Sequence, residues 1–186
     1  MIHITNFPRM GKNEKNKIVL PPWGSRALWE EAGDSINYLI NQHKNRLNMA
    51  FNLAEQLKGH LKSIFLLLDE LCYMTCPWCP NSCCLKATVW MDFKDLLFLG
   101  LAGEKFPPAQ LIKSPSDTCR YLGQKGCMLP RIKRPWICTL YLCPTQNRIL
   151  RRESSKVQKK FSQTVQTIKI GRKKIEDEFI RITTMP

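Results

Sequence analysis

The chain has 186 residues, enough for one domain with an appendage at roughly 150 residues per domain, and its 44% apolar and 24% charged content excludes wholesale disorder and a collagen-like chain. Twenty-nine Lys and Arg against fifteen Asp and Glu give a net charge of +14, and residues 144–186 alone carry eleven bases against four acids, a basic C-terminal extension. The longest apolar runs, residues 64–68 and 96–99, fall far short of the ~18–20 needed to cross a bilayer, and no secretory apolar segment follows Lys12, Glu14, Lys15 and Lys17, so a cytoplasmic protein with no membrane partner is expected.

Residues 1–24 mix Lys, Asn, Gly and Pro without a sustained period, and Pro21-Pro22 forbids a helix running through, so they are expected to form a flexible arm. From Leu28 onward, Ala32, Ile36, Leu39, Ile40, Leu47, Phe51, Ala54, Leu57, Leu61, Ile64, Phe65 and Leu68 recur largely three or four apart, the pattern of an amphipathic helix. Asp34 or Ser35 as N-cap and Gly33 and Gly59 as breaks predict two helices, about 35–58 and 60–71. The prolines of Cys76-Pro77-Trp78-Cys79-Pro80-Asn81-Ser82-Cys83-Cys84 stop the helix and require a knuckle or loop. Thr88, Val89 and Trp90 read as a short strand, and Asp92 caps a helix to about Leu101. Pro107-Pro108 and Pro115 punctuate the next loop, and a second cysteine group follows on turns. Near the C-terminus Val165, Ile168 and Ile170 read as strand while Ile175, Phe179 and Ile182 fall at helical spacing, so helix and hairpin stand equal there.

All nine cysteines lie between Cys72 and Cys143. In a reducing compartment, thiols at short spacing on Pro- and Gly-bearing loops point to metal ligation or redox chemistry rather than structural bridges. Cys76 and Cys79 can aim two sulfurs at one ion from a tight turn; Cys83 and Cys84 add an adjacent pair, and Cys119, Cys127, Cys138 and Cys143 form a remote half. Four thiolates suffice for a tetrahedral zinc site or a Cys-ligated iron–sulfur cluster. The competing reading for any single cysteine, Cys72 above all, is an inert buried thiol.

The run Cys76-x2-Cys79-x3-Cys83-Cys84, then Cys119-Arg120-Tyr121-Leu122, Gly126-Cys127, and Arg134-Pro135-x2-Cys138 with Cys143, resembles the YkgJ-type cysteine cluster proteins, described as zinc- or iron-chelating domains with a CxxCxxCC signature. The resemblance covers about residues 72–143. It implies Cys76, Cys79, Cys83, Cys84, Cys119, Cys127, Cys138 and Cys143 as metal ligands and leaves Cys72 outside the pattern. Three residues precede the double cysteine here where the family commonly has two, which leaves open which of Cys83 and Cys84 ligates. Arg134 beside thiolates would offset their charge and Pro135 would stiffen the turn that presents Cys138. Asp92 and Asp95 are candidate hard ligands, against a capping role for Asp92. His43 and His60 sit in a helical pattern and His3 in the arm, so none is expected to ligate.

The expected architecture is a helix-rich α+β fold: N-terminal helices packed on a small, irregular, metal-stapled cysteine domain with few strands, the domain spanning 25–143. The expected function is a metal-binding protein with a zinc or iron–sulfur centre in a structural or electron-transfer role. One alternative is an enzyme related to the cysteine-cluster lysine methylases to which the resemblance extends, or a dithiol redox protein. The other is a nucleic-acid-binding module using Arg148, Arg151, Arg152, Lys156, Lys159, Lys160, Lys169, Arg172, Lys173 and Lys174. No protein partner is indicated.

Overall fold

The computed structural model describes residues 20–80, 83–86, 88–124 and 126–184, so most of the expected arm lies outside the described residues. Seven α-helices account for most of them: α1 Arg26–Gln42, α2 Asn48–Thr75, α3 Cys83–Lys86, α4 Phe93–Leu101, α5 Trp136–Leu140, α6 Pro144–Leu150 and α7 Ser155–Thr184. Among the described residues the single sheet joins two-residue strands, β1 Leu122–Gly123 and β2 Gly126–Cys127, in an antiparallel pair that sets Leu122 opposite Cys127. Helix-rich α+β describes this chain. No helix among the described residues is long and apolar enough to cross a membrane.

Helix α1 starts nine residues earlier than the expected helix. Its cap is Ser25, whose hydroxyl accepts the Leu28 N–H at 3.2 Å, rather than Asp34 or Ser35. Gly33 does not break the helix. It lies buried inside it, where an added Cβ would come within 3.0 Å of the Phe106 ring, so the glycine makes room for a side chain rather than a bend. The true break falls at residues 43–47, and α2 then runs straight through Gly59. One exposed glycine costs a helix only about 1 kcal/mol, against a buried stripe of Ala50, Ala54, Leu57, Leu61, Ile64, Leu68 and Leu71 that continues across it at alternating steps of four and three.

Helix α7 carries a matching stripe, Phe161, Ile168, Arg172, Ile175, Phe179 and Ile182, and packs along α2. The chain reaches α2 near Thr75 through Gln146 and meets Leu57 at Gly171, so it runs back along α2 from the C-terminal end. The hairpin alternative for this segment is thereby excluded. Ile170, which suggested alternation, is 47% exposed, and the interleaved Thr and Gln lie along a helix surface. The basic segment from Pro144 onward therefore contributes Leu150, Phe161, Ile168, Ile175, Phe179 and Ile182 to the same hydrophobic core as α1, α2 and α4.

Residues 88–90 form no strand; they lead as irregular backbone into α4. Asp92 caps α4 as expected, and Asp95 returns the bond: the Asp92 carboxylate accepts the Asp95 N–H at 2.9 Å and the Asp95 carboxylate accepts the Asp92 N–H at 3.1 Å. The same two carboxylates receive Arg172 of α7, at 2.6 Å from Asp95 and 3.2 Å from Asp92. Asp95 also accepts the backbone N–H of Trp136, the first residue of α5, at 3.0 Å, and the Arg172 guanidinium lies 5.3 Å from the centre of the Trp136 ring. Both acids are thus engaged in a structural network.

Two outcomes follow for stability in urea. Asp95→Asn leaves the buried Arg172 with only Asp92 as anion and should cost about 3 kcal/mol, the lower end for breaking a buried pair. Gly59→Ala, with open space around the position, should gain about 0.5–1 kcal/mol; an equal midpoint for either variant and the parent contradicts the corresponding account.

Candidate metal centre

The first group of cysteines is delivered by the end of α2. Cys72 and Cys76 stand one turn apart, with the Cys76 N–H donating to the Cys72 carbonyl, so their side chains share a helix face. Pro77 cannot continue the helix, and the chain tightens into a 3-10 turn, Cys76–Trp78, closed by the Cys79 N–H on the Cys76 carbonyl at 3.3 Å. Cys79 is exposed, and Trp78 beside it is 82% exposed. Cys83 and Cys84 then open the short helix α3.

The second group is held by polar contacts in the loop after α4. Gln110, 1% exposed, satisfies its whole amide: its oxygen accepts the N–H of Met91 and of Leu111, and its nitrogen donates to the carbonyls of Pro22 and Met91. The Tyr121 hydroxyl donates to the Ala109 carbonyl at 2.8 Å and accepts the Ala109 N–H at 3.2 Å. These bonds fix the chain between which Cys119 and the β1–β2 hairpin emerge. The Cys119 N–H reaches the Cys84 carbonyl at 3.5 Å, tying the second group to the first. Gly126, with φ of +108°, places the hairpin against Cys76: an added Cβ would lie 3.9 Å from the Cys76 Cβ. Buried Pro135 precedes α5, which carries Cys138. Cys143 caps α6, its sulfur accepting the Gln146 N–H at 3.4 Å.

Charge on cysteines of either group opposes ionisation in the other. Burial pushes the Cys138 thiol up, and charge on Cys119, Cys127 and Cys83 pushes it further. Cys84 is raised because its thiol donates to Cys83, then by burial, then by Cys83, Cys138 and Cys127. Cys83 as the receiving partner is drawn down to about 7. Cys72 is drawn down to about 5, first by the Cys76 thiol donating to it and, against burial, by Arg131 and the charge of Arg134. Cys76 holds the shared proton and is raised accordingly. Crowded thiols of this kind cannot all ionise unaided. A thiophilic cation would remove the penalty and release the protons.

Six of the eight expected ligands, Cys76, Cys83, Cys84, Cys119, Cys127 and Cys138, belong to this electrostatically linked set. Cys143 flanks it at α6, acting with Cys83 on the Tyr141 hydroxyl, and Cys79 stands exposed at the rim. Cys72, read from sequence as outside the pattern, is in the set through Cys76; its spacing of four from Cys76 at the end of a helical stripe was the available signal. The cation that touches sulfur is Arg131, whose Nη2 donates to Cys72 at 3.5 Å, and not Arg134, whose guanidinium donates to the carbonyls of Leu129 and Cys127. His43 caps α1 and His60 is exposed on α2. Of the basic candidates for phosphate contact, Arg172 is buried on Asp95 and Lys173 is paired with Glu176 and Asp177, while Arg151, Arg152, Lys156, Lys159, Lys160, Lys169 and Lys174 are exposed.

The nine cysteines are free thiols, and among the described residues no group of three or more His, Cys, Asp or Glu side chains is placed to hold a metal ion. Searches against family models, curated proteins and solved structures found no match to the chain.

In the reduced, metal-free chain, peptide-resolved iodoacetamide labelling of Cys72 should titrate near pH 5, well below the ~8.5 of an ordinary thiol. Cys76→Ala, which removes the thiol donor, should raise that midpoint by a unit or more, about 1 at the least. A parent midpoint near that of an ordinary thiol contradicts the assigned proton sharing.

Proposed function

We propose that this chain is a metal-binding protein in which thiolates from the two cysteine groups hold zinc or an iron–sulfur centre. The reading rests on one observation: the two cysteine groups, brought from separate stretches, meet in space, with the Cys119 N–H 3.5 Å from the Cys84 carbonyl and Gly126, the neighbour of Cys127, placed so that an added Cβ would lie 3.9 Å from the Cys76 Cβ. The YkgJ-type resemblance of the same residues points the same way. Softness of the donors favours zinc or iron over hard cations. A sulfur-only set without His or carboxylate also favours a closed structural or electron-carrying centre over a hydrolytic one, which keeps an open position.

The need for such a staple is physical. Among the described residues, the cysteine-bearing stretches on either side of α4, 76–90 and 102–143, contain no regular element longer than five residues, so little backbone hydrogen bonding of their own holds them in place. Cys119, Cys127 and Cys138 are half-buried against the edge of the main core. Bound metal would contribute its binding energy directly to the folding of this part, on the order of 10 kcal/mol for a structural zinc. An iron–sulfur cluster would supply one-electron chemistry in the same place.

Anaerobic purification under reducing conditions, followed by metal analysis and an absorption spectrum, tests the reading. Stoichiometric zinc in a colourless protein, or iron with sulfide in a brown one, is the expected result. Cys138→Ser and Cys84→Ser should each lose at least half of the bound metal and melt earlier. A parent chain free of metal, or variants equal to the parent in content and melting, overturns the proposal.

A further inference from the structure

Cys72 has the surroundings of a charged sulfur. Arg131 is 8% exposed; its Nε and Nη2 both meet Asp69 Oδ1, at 2.7 and 2.5 Å, and Nη2 also donates to the Cys72 sulfur at 3.5 Å. The Asp69 side chain is 60% exposed, so much of that carboxylate faces water while the arginine does not. A buried guanidinium is costly unless anions meet it. Cys72 is the second group within reach of the guanidinium that can supply one.

Gln146 adds to the case from another element. Its Nε2 lies 3.6 Å from the Cys72 sulfur, 3.8 Å from the Cys76 sulfur and 3.1 Å from the Thr75 hydroxyl, and the glutamine is 5% exposed. Its oxygen is spent on the Cys143 N–H at 3.2 Å, which turns the amide so that nitrogen and not oxygen faces the two sulfurs. The 3-10 turn Arg131–Lys133 and α6 thus each aim an N–H donor at the last turn of α2. Inert buried thiols need no such donors. Thiolate ligands do, because outer hydrogen bonds orient their lone pairs and offset their charge.

We infer that Cys72 is a further thiolate ligand of the thiophilic metal centre, presented with Cys76 as an i, i+4 pair on the last turn of α2, with Arg131 and Gln146 as positioning residues. The inference rests on the metal reading above. It extends the ligand set from the loop-borne cysteines onto α2, a long helix of the core they pack against. The helix then gives the centre one rigid edge, since a backbone hydrogen bond fixes the two residues of the pair relative to each other.

The test uses the purified full chain with its metal in place and needs no substitution in its first arm. Iodoacetamide followed by peptide mass spectrometry should leave Cys72 protected in the loaded protein, in parallel with Cys138, and chelation should expose both. In the second arm the chain is reloaded with cobalt(II), and Cys72→Ser should lower the thiolate-to-cobalt absorption by about a quarter for a four-thiolate site. Gln146→Leu should keep that absorption and weaken cobalt affinity by about 10–100-fold. Full labelling of Cys72 in the loaded protein, together with unchanged cobalt absorption in Cys72→Ser, overturns the inference while Cys138 protection leaves the metal reading standing. A chain with no metal and with Cys138 unprotected removes both.

Discussion

Asp95 holds a full set of donors in a place that excludes water: Arg172 at 2.6 Å, the Trp136 N–H at 3.0 Å and the Asp92 N–H at 3.1 Å. Burial pushes its carboxyl up, and the Arg172 guanidinium pulls it back. Taking that carboxylate out of water is expensive, and only the arrival of an arginine from the far end of the sequence offsets the cost. Three elements meet on one side chain as a result. Helix α4 supplies the acid, α7 the base, and α5 is held by its first N–H. The position of Cys138, two residues along α5, follows from an ion pair that involves no cysteine.

The cysteine-bearing part of the molecule borrows its order in the same way throughout. Cys72 and Cys76 take theirs from α2, whose buried stripe is gripped by α7. Cys119 depends on the buried amide of Gln110 and the hydroxyl of Tyr121, and Cys143 on its reciprocal cap with Gln146. Each loop is therefore pinned at one end by the helical core and left to its sulfurs at the other. This is the condition under which a shared ion has most to contribute, because the core sets the approach of the loops and the ion would close it.

Much of this was legible in the chain, and the failures have specific causes. The stripe of α2 and the cap of α4 at Asp92 follow from local spacing and side-chain chemistry, and both stand. The start of α1 was missed because Gly33 reads as a helix breaker until Phe106 is known to lie against it. The strand reading at 88–90 failed because β-branched composition says little without a partner strand. The form of α7 was undecided because Thr and Gln between apolar residues mimic alternation, and only burial on α2 shows which of them face inward. At the site, the family resemblance leaves Cys72 outside its pattern, and the relation of Cys72 to Cys76 is helical rather than one of loop spacing. Arg131 and Arg134 are a turn apart in sequence, and nothing local says which will meet a sulfur. The pairing of Asp95 with Arg172, 77 residues away, has no local signature at all.

The overall basicity of the chain and the charge of its proposed centre call for separate accounts. Four thiolates on one divalent cation keep a net charge of about −2, and a low-dielectric edge makes that charge felt at short range. Exposed lysines on α7 are poorly suited to offset it, since salt and water screen them within about 10 Å. The residues that answer are arginines at the site: Arg131 donating to Cys72, and Arg134 whose positive charge favours the same thiolate while its guanidinium is anchored on the Leu129 and Cys127 carbonyls. Arginine suits this role because its planar fork can bond a carbonyl or carboxylate with one edge and face sulfur with another, and it stays charged when buried. The +14 of the whole chain thus describes its surface. The balance at the sulfurs is set by two buried or half-buried guanidiniums, which is why exchanging lysines along α7 would alter the outer field of the protein and leave the thiols as they are.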